Sequence, residues 1–436
     1  MKLGFSRRHL ILIILVGIVK VVAAVAAPLA SDFSSFIYLA QQAYLQLSGG
    51  FILPLGTFGA YTGSAVLLSP FFGLWLALTG NLGNPTIDLA RFIIASSSFV
   101  PSPDGLLLVF LMKLPVLLFD LLAGYSLYLL SSQLTGTMEF SEKAFLVWWL
   151  NPFNLFFIDM WGEIDVIPAA LLVLAVILAL KRRWGSSGII VAFASIIRLY
   201  PTLLLPAFLI QSLRGGKTPT VRFAAGFLAP IALGIAYLMH TMSVSSTISY
   251  FIGLTNAPFF QASVYGNELL PVLLNGDVAL RQTLFLMPLQ VYVILRLWRR
   301  ESASPMRVCL AMLLLLFATT GYEPYRFTWV TPFLTLYYAI SGESTFLFST
   351  LFGFQFLASL GRGDYSNGGR IFFFIPRYNW LLDAGAKGLA QSFPAFRFLD
   401  YNILSFVVTG ILFVYVLKVN MLARAKPPSS SKCFKA

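Results

Sequence analysis

LLLVFLMKLPVLLFDLLAGYSLYLL, residues 106–130, has only two charged side chains, Lys113 and Asp120, among its 25 positions. As an α-helix it extends about 38 Å, longer than the roughly 30 Å hydrocarbon core of a bilayer. It has too few polar positions for a wet face, and it lacks the strict alternation of a membrane barrel strand. Backbone exposed to lipid must satisfy its own hydrogen bonds, so such a run is a helix. Lys113 and Asp120 lie two turns apart on one face and read as a buried structural pair or as contacts with neighbours, outside any functional site.

The rest of the chain repeats this pattern. Of 436 residues, 58% are hydrophobic and 11% are charged, against roughly 25% charged in an average soluble domain. Further spans are expected at 9–29, 64–80, 144–160, 166–181, 187–213, 222–240, 280–298, 306–321, 327–341, 344–360 and 402–419. A loop is expected at 131–143, and placing it on the cytoplasmic side requires an extra crossing at 86–103. Arg198 and Pro201 fall in the middle of 187–213, which therefore reads as two half-helices. The expected fold is an all-α bundle of about 12 to 14 spans. It forms a single transmembrane domain over residues 1–426, with a disordered cytoplasmic tail at 427–436.

The net charge is +13, but the basic residues are not gathered on one surface as nucleic-acid binding requires. They mark the ends of apolar runs: Arg7 and Arg8, Lys181 to Arg183, Arg214 and Lys217, Arg296 to Arg300, and Lys418 to Lys426. By the positive-inside rule both termini are cytoplasmic, and the first run reads as a retained anchor. Residues 29–63, the Glu163–Asp165 turn, 241–277 and 361–400 then face outward. Cys309 lies in an apolar run and Cys433 in the tail, which implies neither a disulfide nor a thiolate metal site.

Four outward places carry polar groups. Asp32 follows the first span and precedes an amphipathic stretch with Tyr38, Gln41, Gln42 and Tyr44; it can be a solvated helix cap or a functional acid. Glu163 and Asp165 lie between apolar runs with Asp159, Trp161 and Pro168 close by. One acid suits a helix N-terminal cap, but two exceed what a cap needs. Arg198 lies deep in an apolar segment. Its alternatives are a structural ion pair with Asp165 or Glu163, or an anion site whose forked donors match phosphate oxygens. Glu323 and Arg326 set another acid and arginine at the outer end of a span.

Three pieces of sequence resemble the polytopic glycosyltransferases of the C superfamily, which use polyprenyl-phosphate sugars. The likeness is to the branch of the first mannosyltransferase of glycosylphosphatidylinositol synthesis and its prokaryotic relatives. One piece is an acid soon after the first span, here Asp32, where the family commonly has two acids close together. The second is an ordered block: Asn151-Pro152, Trp161-Gly162-Glu163-Ile164-Asp165, Lys181 to Arg183, and Arg198-Leu199-Tyr200-Pro201. In it Glu163 stands for a frequent Gln and Arg198 for a frequent Lys. The third is Tyr325-Arg326 followed by Trp329 to Pro332. Together they cover about residues 28–340.

The resemblance implies a hexose, mannose favoured, moved from a polyprenyl- or dolichyl-phosphate donor to a lipid- or protein-linked glycan by inverting displacement. It implies Asp32 as base, Arg198, Tyr200 and Arg326 toward the donor phosphate, and Trp161, Glu163 and Asp165 toward sugar or acceptor. No metal or other cofactor is required, and no His or Cys cluster calls for a divalent ion. The expected setting is a prokaryotic plasma membrane or the endoplasmic reticulum, with the site on the outer or lumenal side. The partners are the lipid donor, a glycan or lipid acceptor and membrane lipid, with no nucleic acid. The rival class is a secondary transporter or lipid flippase, which also gathers ionisable residues in a bundle. No second copy of the Trp161–Pro201 block is present. A purely structural subunit would not need acids and arginine buried together.

Overall fold

A computed structural model describes residues 5–26, 31–48, 62–83, 103–198, 200–241, 305–319 and 324–341. Every regular element among these is helical: α1 (Arg7–Ala26), α2 (Ser31–Leu47), α3 (Thr62–Thr79), α4 (Pro103–Thr135), α5 (Met138–Trp149), α6 (Val166–Leu180), α7 (Trp184–Ile197), α8 (Leu205–Arg214), α9 (Lys217–Thr241), α10 (Pro305–Thr319) and α11 (Thr331–Ser341). The expected spans at 86–103, 280–298, 344–360 and 402–419, the segments 241–277 and 361–400, and the tail lie outside the described residues, apart from Pro103 at the start of α4 and Thr241 at the end of α9. Helices α1, α4 and the Lys217–Ala236 part of α9 are long and apolar enough to cross a membrane; Gly63–Thr79, Val166–Leu180 and Trp184–Ile197 are shorter apolar helices. This is the organisation of a membrane protein.

Helix α6 is the centre of the bundle, buried on almost every face and packed against α4 and α7. It has no polar stripe because none of its faces meets water. Helices α1 and α9 lie at the periphery. Leu10, Ile11, Ile14, Leu15, Ile18 and Val22 on α1, and Val221, Leu228 and Leu233 on α9, expose large apolar side chains. In water such a surface is unfavourable; facing lipid it costs nothing.

Helices α7 and α9 approach closely because glycines line the crossing. A Cβ built on Gly188 would lie 2.3 Å from the Phe223 carbonyl oxygen, and one on Gly226 would lie 2.2 Å from that of Gly185. Lipid offers no hydrophobic drive between helices, so association depends on such backbone approach and on the packing it permits. The aromatic rings of Phe208 and Phe223 stack beside it with centroids 5.7 Å apart.

One expectation changes in the structure, and one segment gains definition. The loop expected at 131–143 is nearly all helix, since α4 runs to Thr135 and α5 starts at Met138, with Gly136 at φ +70° making the turn. Much of the expected first outer loop, 29–63, is the regular helix α2, packed on α3. The amphipathic stretch behind Asp32 winds because its apolar positions Phe36, Ile37, Ala40 and Ala43 recur at helical spacing, and all four are buried.

Candidate active site

The Asn151–Asp165 segment forms a compact turn between α5 and α6. Asn151 Oδ1 accepts from the Phe153 amide at 2.9 Å, with Pro152 in the first helical position, an arrangement suited to a helix start. Residues Leu155–Met160 then form a π-helical turn. The amides of Trp161, Gly162 and Glu163 close it by donating to the carbonyls of Phe156, Ile158 and Phe157. Gly162 has φ +83°, a conformation a side chain would strain, so the glycine of Trp161-Gly162-Glu163 is a geometric requirement. The reversal it makes turns Glu163 inward.

Asp165 directly precedes α6 but makes no side-chain capping bond. This excludes the cap as the use of its carboxylate. One oxygen instead contacts Nε of Arg198, and the other accepts from Trp329 Nε1 at 2.7 Å. Glu163 Oε1 lies 3.4 Å from Nη2 of Arg198. Glu163 is 2% exposed and Asp165 0%, while the Arg198 side chain keeps 12%. The three charges sum to −1, so this is a buried arginine held between two acids with a small opening to its surroundings.

The backbone break that delivers Arg198 is the one expected from Arg198 and Pro201. Helix α7 ends at Ile197, Arg198 is extended at φ −144° and ψ 144°, and Tyr200–Leu204 winds as a 3-10 turn into α8. Pro201, three residues on, has no N–H to donate to the Ile197 carbonyl and its ring crowds that carbonyl, which stops the helix. The N-terminus of α3 abuts this break: Ser64 Oγ donates to the Ile197 carbonyl at 3.1 Å, and a Cβ on Gly63 would lie 2.0 Å from the Ile196 oxygen. An otherwise unsatisfied helix-end carbonyl thus gains a donor.

An aromatic ring faces the arginine, and an aromatic pair adjoins Asp165. The Phe36 ring lies 5.4 Å from the guanidinium carbon, within cation–π range. Tyr200 stacks on Trp329 with centroids 4.0 Å apart and planes 6° from parallel. The buried Tyr200 hydroxyl has no hydrogen-bond partner among the described residues.

Of the residues expected in the site, Glu163, Asp165 and Arg198 converge, and Trp329 joins Tyr200 to Asp165. Trp161 lies on the same turn, half-buried, with Phe157 stacked at 5.5 Å. Asp32 is the second residue of α2, one turn before Phe36, so its backbone lies about 6 Å along the helix axis from a residue that touches Arg198. Arg326 occupies the 3-10 turn Pro324–Trp329 that supplies Trp329. Glu323 lies outside the described residues. No group of three or more His, Cys, Asp or Glu among the described residues is placed to hold a metal ion.

A second charged cluster lies behind the turn. Lys20 Nζ donates to Asp120 at 2.8 Å and to Asp159 at 2.7 Å, and all three are buried. Lys113 Nζ donates to the carbonyls of Ala24 at 2.9 Å and Met160 at 2.5 Å. Lys113 and Asp120 thus contact neighbouring segments, Asp120 through Lys20 and Lys113 through two backbone carbonyls. The signal was a lone lysine inside the first apolar run, whose cost in lipid demands acid partners.

A family model described as glycosyltransferase family 87 matches residues 92–320, just over half the chain. The match takes in Trp161, Glu163, Asp165, Arg198 and Tyr200, and it ends short of Asp32 on one side and Arg326 on the other. No curated protein matches the chain.

Proposed function

The chain belongs to glycosyltransferase family 87 and is a membrane glycosyltransferase; on that premise we propose that it moves a hexose, mannose favoured, from a polyprenyl- or dolichyl-phosphate donor to a lipid- or protein-linked glycan. The observation that carries this reading is the partly open Arg198, held by Glu163 and Asp165 where a helix breaks inside an apolar bundle. A lipid-phosphate leaving group needs a fixed cation more than it needs protonation, and the guanidinium fork matches its oxygens. Two acids around one arginine orient it in advance, so little reorganisation is needed when the phosphate arrives.

In this reading the acceptor hydroxyl attacks the anomeric carbon as the bond to the phosphate oxygen breaks, inverting the centre. Asp32 takes the hydroxyl proton. Arg198 holds the departing phosphate, with Arg326 as helper and Tyr200 lining the site. Glu163, Asp165 and Trp161 are directed to the sugar and acceptor, and the geometry supports an added role for both acids in positioning Arg198. The site faces the outer or lumenal side, with cytoplasmic termini, as the distribution of Lys and Arg argues.

The test is purified protein in nanodiscs with labelled polyprenyl-phosphate mannose, or its other hexose counterparts, and a membrane lipid extract. The expected result is a glycosylated lipid or glycan product and free polyprenyl phosphate. Transfer only from a nucleotide sugar would contradict the proposed donor.

A further inference from the structure

Lys113 lies a third of the way along α4 and takes no part in the proposed chemistry, yet it is fully buried and joins two segments that lead to the site. One of its hydrogen bonds goes to Ala24, in the last turn of α1; two residues later α1 ends, and Asp32 follows at the start of α2. Another goes to Met160, the residue before Trp161-Gly162-Glu163. We propose that Lys113 is a positioning residue for glycosyl transfer, fixing the Trp161–Asp165 turn against the end of α1 and so setting the spacing between Asp32 and the Glu163–Arg198–Asp165 cluster. This rests on the transferase reading above.

The reason is geometric. The last carbonyls of α1 and of the π-helical turn have no intrahelical donor of their own. One ammonium group with three donors bridges both, in a region without competing water. Lys20 secures the neighbouring residue of the same turn, Asp159, from the other side. Lys20, Lys113, Asp120 and Asp159 sum to zero charge, so the tie needs no further counterion. Catalysis depends steeply on such spacing: a shift of about 1 Å between reacting groups lowers rate by up to about 10²-fold.

Removing Lys113 alone would leave an unbalanced buried charge and confuse mispositioning with unfolding. The decisive variant is therefore the charge-balanced Lys113→Met with Asp159→Asn, compared with Lys20→Met with Asp120→Asn, which retains the Lys113 tie. Three quantities are read in nanodiscs: Tm, kcat and KM with labelled polyprenyl-phosphate hexose, and hydrogen exchange of the 156–165 amides. The Lys113 pair is expected to lower kcat about 10- to 10²-fold with little change in donor KM, and to speed exchange at Trp161–Glu163, while Tm stays near that of the wild type. The Lys20 pair should keep kcat within about threefold of wild type, well short of that loss. Unchanged exchange and kcat in the Lys113 pair overturn the proposal, as does an equal kcat loss in both pairs. Wild-type protein that transfers no hexose sinks the donor reading; the exchange comparison then decides the tie alone.

Discussion

Trp329 Nε1 donates to Asp165 Oδ2 at 2.7 Å across 164 residues of sequence, and the same indole stacks on Tyr200. The contact joins the turn before α11 to the start of α6 and to the broken end of α7. Asp165 is therefore held from two sides, by an indole and by a guanidinium. A carboxylate so restrained fixes the angle at which Arg198 faces its opening.

Trp329→Phe preserves an aromatic ring against Tyr200 and removes the donor. It leaves a buried carboxylate oxygen short of one hydrogen bond, a loss of about 1–3 kcal/mol. The expected outcome is a lower Tm in detergent, with normal membrane insertion. A Tm equal to wild type would show that Arg198 alone satisfies Asp165.

Asp32→Asn tests the base. The substitution keeps size and polarity at the second residue of α2 but cannot accept the acceptor proton. Turnover should fall by ~10²-fold or more, with donor binding little changed. Near-normal turnover would move the role to another carboxylate, with Asp165 next in line.

Gly188→Ala tests the crossing that carries the Arg198 helix. The new methyl would meet the Phe223 carbonyl at 2.3 Å, and overpacking of this kind costs about 1–3 kcal/mol. Gly234→Ala is the control, because nothing lies within 4 Å of its added Cβ. Lowered Tm in the first variant and not in the second is the expected result, read by thermal unfolding in nanodiscs.

The sequence was informative wherever local chemistry set the outcome. Arg198 and Pro201 announced a broken helix, and two acids beside Trp161 announced a polar centre too large for a cap. It was silent where outcome depended on distant pairing. Lys20 meets Asp120 and Asp159 across 100 and 139 residues, and nothing in the spacing of Lys113 and Asp120 reveals that Asp120 turns to α1. Polar residues also misled: Ser131, Ser132, Gln133 and Thr135 read as loop, whereas buried Ser131 and half-buried Thr135 lie in α4. The Thr135 hydroxyl donates to the Ser131 carbonyl one turn back at 2.8 Å, a local bond that lets a helix carry such a residue. Stacking of Tyr200 on Trp329 joins two motifs that the sequence presents separately.

In the proposed reaction Arg198 receives the donor phosphate and is more than the counterion of Glu163 and Asp165. Arg198→Lys keeps the charge that both acids require and loses the fork that matches phosphate oxygens. The deciding measurement is the affinity of labelled polyprenyl-phosphate hexose for wild type and for Arg198→Lys in nanodiscs, with Tm recorded on the same samples. Donor affinity is expected to weaken about tenfold or more, equivalent to roughly 1.4 kcal/mol, at a Tm close to wild type. Unchanged donor affinity together with a lowered Tm would contradict it, leaving Arg198 as a structural ion pair.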